Sequence, residues 1–472
     1  MCGIVGLYSN DPVNQRLYDA LVLLQHRGQN AAGIATLDEH TFHLHKATGL
    51  VQDVFRTRNM RDLSGHWGIG HVRYPTQGNA DSHQESQPFY VNAPFGIAFV
   101  HNGNLTNAQQ LKQAFHDNGH RHINTQSDSE VLLNVLAEEL SKQPLERIEE
   151  TTLFKAVTNL HQRVRGAYAC IALIVGVGML AFRDCHGIRP ICYGTRRQGD
   201  RVEVMFASES VALEALEFHF ERDLEPGEAI WVDLEGKIHS QQCCENPRLI
   251  PCAFEYIYFA RPDSTIDGIS VYDARVHLGR HLADEVRRQL ILDDIDVVCP
   301  IPDSSRPVAL ELAQKLHLPY REGLVKNRYV GRTFIMPGQQ IRKKSVRQKL
   351  NPIKSEFKNK NVLLVDDSIV RGTTMREIVQ MVRDAGAKKV FVCSAAPRVR
   401  FPNVYGIDMP TREELICGDD KSSTEVAKLL NADAVVYQRF EAMIESFREV
   451  NPRIEQFECS CFDGFYIVDK RR

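Results

Sequence analysis

The sequence predicts two domains of different fold class, an α+β domain with substantial antiparallel pairing and then an α/β domain with a doubly wound parallel sheet. In the first half of the chain, short strand candidates are separated by glycine and polar turns. In the second half, buried strand patterns alternate with helix patterns. The length of 472 residues suits two or three domains of ~100–200 residues each. We expect domains at residues 2–238 and 252–450, followed by a C-terminal segment at residues 451–472.

The first domain is predicted from short apolar runs that are bounded by turn residues. A linker is expected after it at Ser240–Pro251, where periodicity is lost and two prolines occur. The strand candidates of this domain are Gly3–Leu7, Gly68–Val72, Ile97–His101, Ala169–Val175, Val204–Ala207 and Ala229–Asp233.

The second domain begins with Ile295–Ile301, an apolar run with the length of a buried parallel strand. Helical spacing follows over Val308–Leu316, and further buried strands are predicted at Val362–Val365 and Val390–Cys393. Such alternation is typical of βαβ units. The helix between the last two strands ends at Gly386 and carries an apolar face made of Met375, Ile378, Val379 and Val382.

Composition excludes several classes of protein. The 57 Lys and Arg residues nearly balance the 60 Asp and Glu residues, for a net charge of −3, whereas a dedicated nucleic-acid binder carries a basic excess. No apolar run approaches the ~18–20 residues that span a bilayer, and the N-terminus lacks the basic region of a signal peptide. With 12 cysteines in so long a chain, we expect reduced thiols in a cytoplasmic protein.

Cys2 follows the initiator methionine directly. A small residue at this position permits removal of Met1, and a free N-terminal cysteine combines a thiol nucleophile with an α-amino base whose pKa is ordinarily ~7.7–8.0. Taken alone, a cysteine at position 2 is more often a buried or incidental thiol.

Five motifs in order change that interpretation, and together they resemble the class II glutamine amidotransferases. These enzymes are N-terminal-nucleophile (Ntn) hydrolases, so the resemblance implies a sandwich of two antiparallel sheets between helices. The motifs HRGQ and HVRYPT resemble those of the amidophosphoribosyltransferase family within this class, and the similarity covers nearly the whole chain. The motifs are MCGIVG, LQHRGQNAAGI (Leu24–Ile34), GHVRYPTQG (Gly70–Gly78), HNGNLTN (His101–Asn107) and SDSE (Ser127–Glu130).

The resemblance implies a role for each of these residues in glutamine hydrolysis. Cys2 is the nucleophile, while the side chain of Asn102 and the backbone N–H of Gly103 form the oxyanion hole. Arg73 binds the substrate α-carboxylate and Asp128 the α-ammonium group. Without the motifs around them, Arg73 and Asp128 would each be interpreted as one member of an ordinary surface ion pair. Arg27, as part of the site architecture, and Thr76 complete the glutamine-binding set, whereas Asn30 stands where the family usually has an acidic residue.

A second signature, NVLLVDDSIVRGTT, spans Asn361–Thr374. The pair Asp366 and Asp367 follows a buried strand, so these carboxylates could hold ribose hydroxyls and Mg²⁺, or could simply cap a turn. The full string resembles the phosphoribosyl pyrophosphate motif of type I phosphoribosyltransferases, and no GxGxxG or GxxxxGK[ST] loop is present. The expected phosphate loop consists of Ser368, Ile369, Val370, Arg371, Gly372, Thr373 and Thr374.

Two more segments complete this site by resemblance. CPIPDSSRP (Cys299–Pro307) is similar to the pyrophosphate loop, with Ser305 aligned to a Mg²⁺ ligand. The segment Gly331–Leu350 has six basic residues and no acidic one, which suits either a solvated basic loop or the family's lid over pyrophosphate. The candidate phosphate contacts are Lys326, Arg332 and Lys349.

Some members of the family bind an iron–sulfur cluster through four cysteines. Cys252 and Cys461 match two of those positions, but Asn403 and Glu458 occupy the other two. Two cysteines are too few for Cys₄ ligation, so we expect no cluster. We also expect the chain to be of the family type that has no propeptide.

The sequence therefore predicts a glutamine-dependent amidophosphoribosyltransferase that uses one Mg²⁺ per subunit. Glucosamine-6-phosphate synthase shares the N-terminal domain, but VDDSIVRGTT favours a transferase. A catalytically silent regulator that senses phosphoribosyl pyrophosphate or nucleotides is the alternative. The resemblance further implies a homotetramer inhibited by AMP and GMP, with no nucleic-acid or membrane partner.

Overall fold

The computed structural model describes residues 1–74, 83–119, 121–144, 149–199, 201–327, 349–409, 411–418 and 420–468. Two antiparallel sheets make up the core of the first half. One has the strand order β11-β9-β10-β1-β4-β2-β3 and the other the order β13-β12-β8-β7-β6-β5. Their strands are β1 (Gly3–Tyr8), β2 (Ala31–Asp38), β3 (Thr41–Thr48), β4 (Trp67–Arg73), β5 (Phe89–Val91), β6 (Ile97–Leu105), β7 (Gly166–Ile174), β8 (Gly178–Arg183), β9 (Cys192–Gln198), β10 (Arg201–Ala207), β11 (His219–Asp223), β12 (Glu228–Val232) and β13 (Ile238–Gln242).

Alternation along each strand explains why the two sheets stack and why helices cover them. On β6, Ala98 and Val100 face the core between the sheets, whereas Ile97 and Phe99 pack against the helices outside. The resulting helix–sheet–sheet–helix layering confirms the predicted Ntn-hydrolase architecture. The helices of this half are α1 (Asn14–Leu23), α2 (Val51–Val54), α3 (Thr57–Asp62), α4 (Ala108–Ala114), α5 (Asp128–Ser141), α6 (Glu150–Arg163) and α7 (Ser210–Ala215), with short turns at Gln25–Arg27, His83–Glu85 and Phe115–Gly119.

The second half is built around a four-stranded parallel sheet with the order β16-β19-β20-β21, which confirms the predicted α/β class. Its strands are buried on both faces: Leu363 and Val365 of β19 face one core, and Val362 and Leu364 face the other. The strands are β14 (Thr265–Ile266), β15 (Ile269–Ser270), β16 (Val297–Pro300), β17 (Leu324–Lys326), β18 (Leu350–Pro352), β19 (Asn361–Asp366), β20 (Lys389–Ser394) and β21 (Ala434–Tyr437).

Helices cover both faces of this sheet. The helices are α8 (Val271–Gln289), α9 (Arg306–Leu316), α10 (Lys354–Phe357), α11 (Thr373–Asp384), α12 (Ser423–Leu430), α13 (Phe440–Arg448) and α14 (Ser460–Asp463), with short turns at Glu255–Phe259, Leu292–Asp294 and Arg412–Glu414. Within the described ranges, no helix combines the length and apolar character needed to cross a membrane.

The structure corrects three expectations. Strand β6 continues past the predicted end at His101 to Leu105, because the polar residues Asn102 to Asn104 pair with β7. The first three residues of the predicted linker belong to β13, which pairs with β12 through Gln242. Two of the 12 cysteines, Cys185 and Cys244, form a disulfide, because the chain returns past the first after 59 residues.

Candidate active site

The thiol of Cys2 lies at the start of β1, where its neighbouring strand β4 ends. Because Gly3 is paired with Val72, the sulfur comes close to the next residues of that strand. Tyr74 N–H donates to Sγ at 3.4 Å, and Sγ lies 3.5 Å from the Tyr74 carbonyl. On the other side, the backbone N–H of Cys2 donates to Asn102 Oδ1 at 2.9 Å. The nucleophile candidate is therefore held between the two sheets.

The contact with Cys2 fixes the orientation of the Asn102 amide. Since Oδ1 accepts from Cys2, Nδ2 points elsewhere, and this buried donor has no hydrogen-bond partner among the described residues. Gly103 follows at φ +148°, and a Cβ there would collide with the Ala167 carbonyl. A buried donor without a partner is costly, so this site is suited to an anionic oxygen.

Two charged side chains that the sequence assigns to glutamine binding are buried nearby. Arg73 pairs with Glu85 at 2.7 Å, and its Nη1 lies 3.4 Å from Asn30 Oδ1. Asp128 is the first residue of α5 and accepts from the Leu105 N–H at 2.9 Å. Asn30 thus contacts the guanidinium as a neutral acceptor, and Glu85 supplies the charge that balances Arg73.

Arg27 holds the backbone of Cys2 in place. Its buried guanidinium donates from Nε to the Cys2 carbonyl at 3.1 Å, pairs with Glu255 at 2.7 Å and also pairs with Glu209. Phe259 lies under it, with the ring centroid 4.7 Å away. Because the guanidinium is fully buried, these contacts are not a surface ion pair, and the role of Arg27 in the site stays a prediction. Thr76, the remaining residue assigned to glutamine binding, lies outside the described residues.

A polar network behind the oxyanion site was missed by the sequence analysis. His101 Nδ1 lies 2.9 Å from Ser129 Oγ, and Gln87 bonds both to the His101 backbone and to Ser129. His71 is buried beside them, and neither ring nitrogen has a partner within the described part of the chain. Both histidines are close to predicted motif residues in sequence, but only the packing of β4 and α5 against β6 brings them together.

The carboxylates of Asp366 and Asp367 lie at the end of β19, the edge where open α/β sheets bind ligands. Asp367 accepts from Ser304 at 2.5 Å and from Ser368 at 2.7 Å. Burial and the adjacent Asp367 carboxylate raise the pKa of Asp366 well above its ordinary value. A bound cation offsets the repulsion between two adjacent buried carboxylates, so the pair fits Mg²⁺.

The loop after these carboxylates leads into α11 without a side-chain cap. Gly372 takes a left-handed conformation at φ +73° as the N-cap residue, and no side-chain cap is present among the described residues. Thr373 and Thr374 are exposed at this end, and Ile369 is buried in the core. The loop is braced by the Ile416 N–H, which donates to the Val370 carbonyl at 3.0 Å. An uncapped helix start with hydroxyls beside it can bind a phosphate.

The other residues that the sequence assigns to this site differ in the contacts they make. Lys326 pairs with Asp303 of the CPIPDSSRP loop at 2.7 Å. Lys349 accepts from the Asn327 N–H through its carbonyl at 2.8 Å, and Arg371 lies 3.6 Å from Glu414. The Ser305 hydroxyl is buried and donates to the Ile301 carbonyl, so within the CPIPDSSRP loop it is Ser304 that contacts the carboxylate pair. Arg332 lies outside the described residues, and Ser305 as a metal ligand stays a prediction.

Metal-binding capacity is limited in the described ranges. No group of three or more His, Cys, Asp or Glu side chains there could hold an ion. Mg²⁺ at Asp366 and Asp367 would therefore take further oxygen ligands from substrate and water.

The positions compared with iron–sulfur ligands form a protein contact of their own. Glu458 bridges to Cys252 through the backbone and accepts from Asn403 Nδ2 at 3.2 Å. Burial raises the pKa of the Cys252 thiol to about 12 and that of Cys461 well above its ordinary value. The absence of a cluster stays a prediction.

Comparison with known proteins extends over both halves of the chain. A glutamine amidotransferase domain model matches residues 71–215, and a phosphoribosyl transferase domain model matches residues 269–412. The amidophosphoribosyltransferase of Pasteurella multocida is 57% identical over 471 residues, covering 99% of this chain and 93% of the relative. The enzymes of that name from Escherichia coli and Schizosaccharomyces pombe are 56% and 47% identical, covering 99% of this chain and 93% and 90% of the relative.

A solved structure with the same architecture is also 37% identical in sequence. It is the glutamine phosphoribosylpyrophosphate amidotransferase of Bacillus subtilis complexed with ADP and GMP, with a TM-score of 0.85, covering 99% of this chain and 98% of the other.

The buried His71 makes stability depend on pH. Burial, followed by the charge of Arg73, lowers the pKa of His71 well below its ordinary value of about 6.5. The unfolded chain therefore binds a proton that the folded chain does not, and stability falls as pH drops below about 6.5. We expect His71→Asn to weaken this fall by up to about 1.4 kcal/mol per pH unit, measured by urea unfolding between pH 7 and 5.

The matched control is His40→Asn, because that side chain is exposed in the turn between β2 and β3. It should leave the pH dependence of the unfolding free energy unchanged. An equal pH dependence in the parent and the His71 variant would contradict the assignment of a buried, neutral imidazole.

Proposed function

The chain belongs to the amidophosphoribosyltransferase family, and we propose that Cys2 and the pair Asp366 and Asp367 carry the two halves of that family's reaction. The enzyme hydrolyses glutamine and transfers the ammonia to C1 of 5-phosphoribosyl 1-pyrophosphate. The products are 5-phosphoribosylamine, glutamate and pyrophosphate, in the first committed step of purine synthesis. One observation carries the residue assignment: the unpartnered Asn102 Nδ2 lies beside a cysteine that Asn102 itself holds.

Cys2 attacks the side-chain amide of glutamine once Met1 has been removed. The new α-amino group accepts the thiol proton, because an amine is the only base that the terminal residue itself provides. The tetrahedral oxyanion is stabilised by Asn102 Nδ2 and the Gly103 N–H. Ammonia leaves with that proton, and water then hydrolyses the thioester to glutamate.

Arg73 and Asp128 select an amino acid over a simple amide. The guanidinium of Arg73 binds the α-carboxylate of glutamine and Asp128 binds the α-ammonium group, so both ends of the substrate are fixed before attack. Both groups are buried, and their contacts to Glu85 and Leu105 limit their motion.

The transferase site uses the loop from Asp366 to Thr374. Its carboxylates hold the ribose hydroxyls and Mg²⁺, and the uncapped start of α11 binds the 5-phosphate. When bound, Mg²⁺ neutralises charge on the departing pyrophosphate. Lys326 lies beside the CPIPDSSRP loop and contributes a further positive charge.

The ammonia passes from one site to the other through apolar protein. The oxyanion strand touches the second half directly, since Asn104 Nδ2 donates to the Val404 carbonyl at 2.8 Å and Gly406 packs against Gly103. A single apolar cluster then includes Ala167 behind Gly103, while Val370 of the phosphate loop packs against it. Ammonium would lose its hydration there, so the neutral nucleophile is favoured.

Regulation and assembly follow from the same family. The Bacillus subtilis relative is complexed with ADP and GMP, which supports inhibition of this enzyme by purine nucleotides such as AMP and GMP. We place the enzyme in the cytoplasm as a homotetramer. The residues at the glutaminase site are those needed for catalysis, and no observation favours a silent regulator.

Replacing Cys2 with Ala separates the two activities. Glutamine-dependent synthesis should fall by about 10⁴-fold or more, because the nucleophile is lost. Synthesis from ammonium salts at high pH should remain near the parent rate, because the transferase needs only ammonia. Phosphoribosylamine formation is measured with each nitrogen source in turn.

Cys192→Ala, which removes a buried thiol on β9, is the control and should keep both activities. Equal loss of both activities in a folded Cys2→Ala enzyme would overturn the two-site proposal.

Replacing Asp366 or Asp367 with Asn keeps the shape of the loop but removes a charge. Ammonia-dependent synthesis should fall by about 10²–10⁴-fold, because substrate orientation and electrostatic stabilisation are both lost. Basal glutaminase activity should survive. We expect phosphoribosyl pyrophosphate to stimulate the glutaminase activity of the parent enzyme but not that of the variant. A ligand that no longer binds cannot shift a conformational equilibrium.

The matched control is Asp293→Asn, an exposed carboxylate in the same half of the chain. A double Asp366→Asn, Asp367→Asn enzyme that makes phosphoribosylamine from ammonia at the parent rate would show that the transferase site lies elsewhere.

A further inference from the structure

Two of the 12 cysteines differ from the others in exposure and bonding. Ten are free and buried, whereas Cys185 and Cys244 are partly exposed and joined by a disulfide. Their Cα atoms lie 5.8 Å apart, which is the usual separation for a disulfide. Reactivity toward small thiols requires access, so, apart from the proposed nucleophile Cys2, this pair is the one among the cysteines that a soluble reagent reaches in the folded chain.

Cys185 lies in the turn between β8 and β9, which we call the 184–189 turn. Asp184 fixes the turn by accepting from the N–H groups of His186 and Ile188. Cys244 comes two residues after β13, where the chain leaves the second sheet for the next domain. The disulfide therefore joins a rigid turn to the beginning of the linker.

The linker returns along the same turn a few residues later. Arg248 N–H donates to the Cys185 carbonyl at 3.0 Å, and Ile250 N–H donates to the His186 carbonyl at 2.8 Å. The backbone N–H groups of Cys243 and Arg248 are bonded to Gly227 and Cys185, and the disulfide at Cys244 anchors the stretch between them. Reduction would leave that stretch attached by its flanks alone.

The 184–189 turn also lies at the contact between the two halves of the chain. The Gly187 carbonyl accepts from Arg183 Nη2 at 2.6 Å, and the same buried guanidinium pairs with Asp267 at 2.7 and 2.8 Å. The first domain, the linker and the second domain thus meet around one turn.

We propose that Cys185 and Cys244 are a reversible redox site that fastens the interdomain linker to the 184–189 turn. The oxidant is a low-molecular-weight disulfide such as oxidised glutathione. One cysteine thiolate attacks it and releases one glutathione thiolate, and the second cysteine thiolate then breaks the mixed disulfide and releases the other. The two protein thiols lose two electrons and two protons, and oxidised glutathione gains them to become two glutathione thiols. Excess reduced glutathione reverses both steps.

The test uses the whole chain equilibrated in oxidised or reduced glutathione and then alkylated. Peptide mapping without reduction should give a Cys185–Cys244 linked peptide in the oxidised sample and two alkylated cysteines in the reduced one. The other nine buried cysteines should stay unmodified until the chain is denatured, whereas Cys2, the proposed nucleophile, is open to the reagent through the glutamine site. Closure of the 59-residue separation should raise the unfolding temperature of the oxidised form by about 5–10 °C.

Cys244→Ser should abolish both the linked peptide and the temperature shift. Cys243→Ser is the matched control, because Cys243 is the adjacent residue but is buried and free, and both effects should persist in it. Amide hydrogen exchange over residues 244–250 should also be slower in the oxidised parent. A linked peptide through Cys243, or equal exchange and equal unfolding temperatures in the two redox states, would overturn the proposal.

Discussion

The buried guanidinium of Arg27 is the interaction on which the glutaminase site depends. It holds the Cys2 carbonyl and is neutralised by Glu209 and Glu255, which come from separate parts of the chain. Although burial opposes ionisation, His26 and Arg27 hold the pKa of Glu209 well below its ordinary value. Leaving one charge unpaired in such a place costs about 3–5 kcal/mol. The nucleophile therefore reaches its position against Asn102 only when distant segments have folded together.

The second constraint is the direct contact between the two halves. Gly103, whose N–H we assign to the oxyanion hole, is approached closely by Gly406, where a Cβ would collide with the Gly103 backbone. Asn104 adds a hydrogen bond to Val404, and apolar side chains continue from there toward the phosphate loop. The atoms that release ammonia are thus next to the domain that consumes it. This arrangement suits a nucleophile that loses its reactivity on protonation in water.

The sequence predicted the fold class and the two loops that carry chemistry, because strand alternation and contiguous motifs are local signals. It could not predict the partners that folding brings from far away, such as Glu85 against Arg73 or Ser304 against Asp367. The sequence pattern placed the end of β6 too early, because the last residues of this buried strand are polar. Polar residues that serve a site often depart from the local pattern of the element that carries them. The disulfide was missed because its pairing depends on the path of the linker.

We infer that the ammonia released from glutamine moves between the two sites inside the protein. The most direct measurement supplies glutamine labelled with ¹⁵N in its amide, together with an excess of unlabelled ammonium at neutral pH, and follows the isotope in phosphoribosylamine. Internal transfer predicts a product that keeps nearly all of the glutamine label whatever the ammonium concentration. A label that is diluted in proportion to the added ammonium would contradict the account, because it would mean that released ammonia mixes with the solvent before it reaches C1.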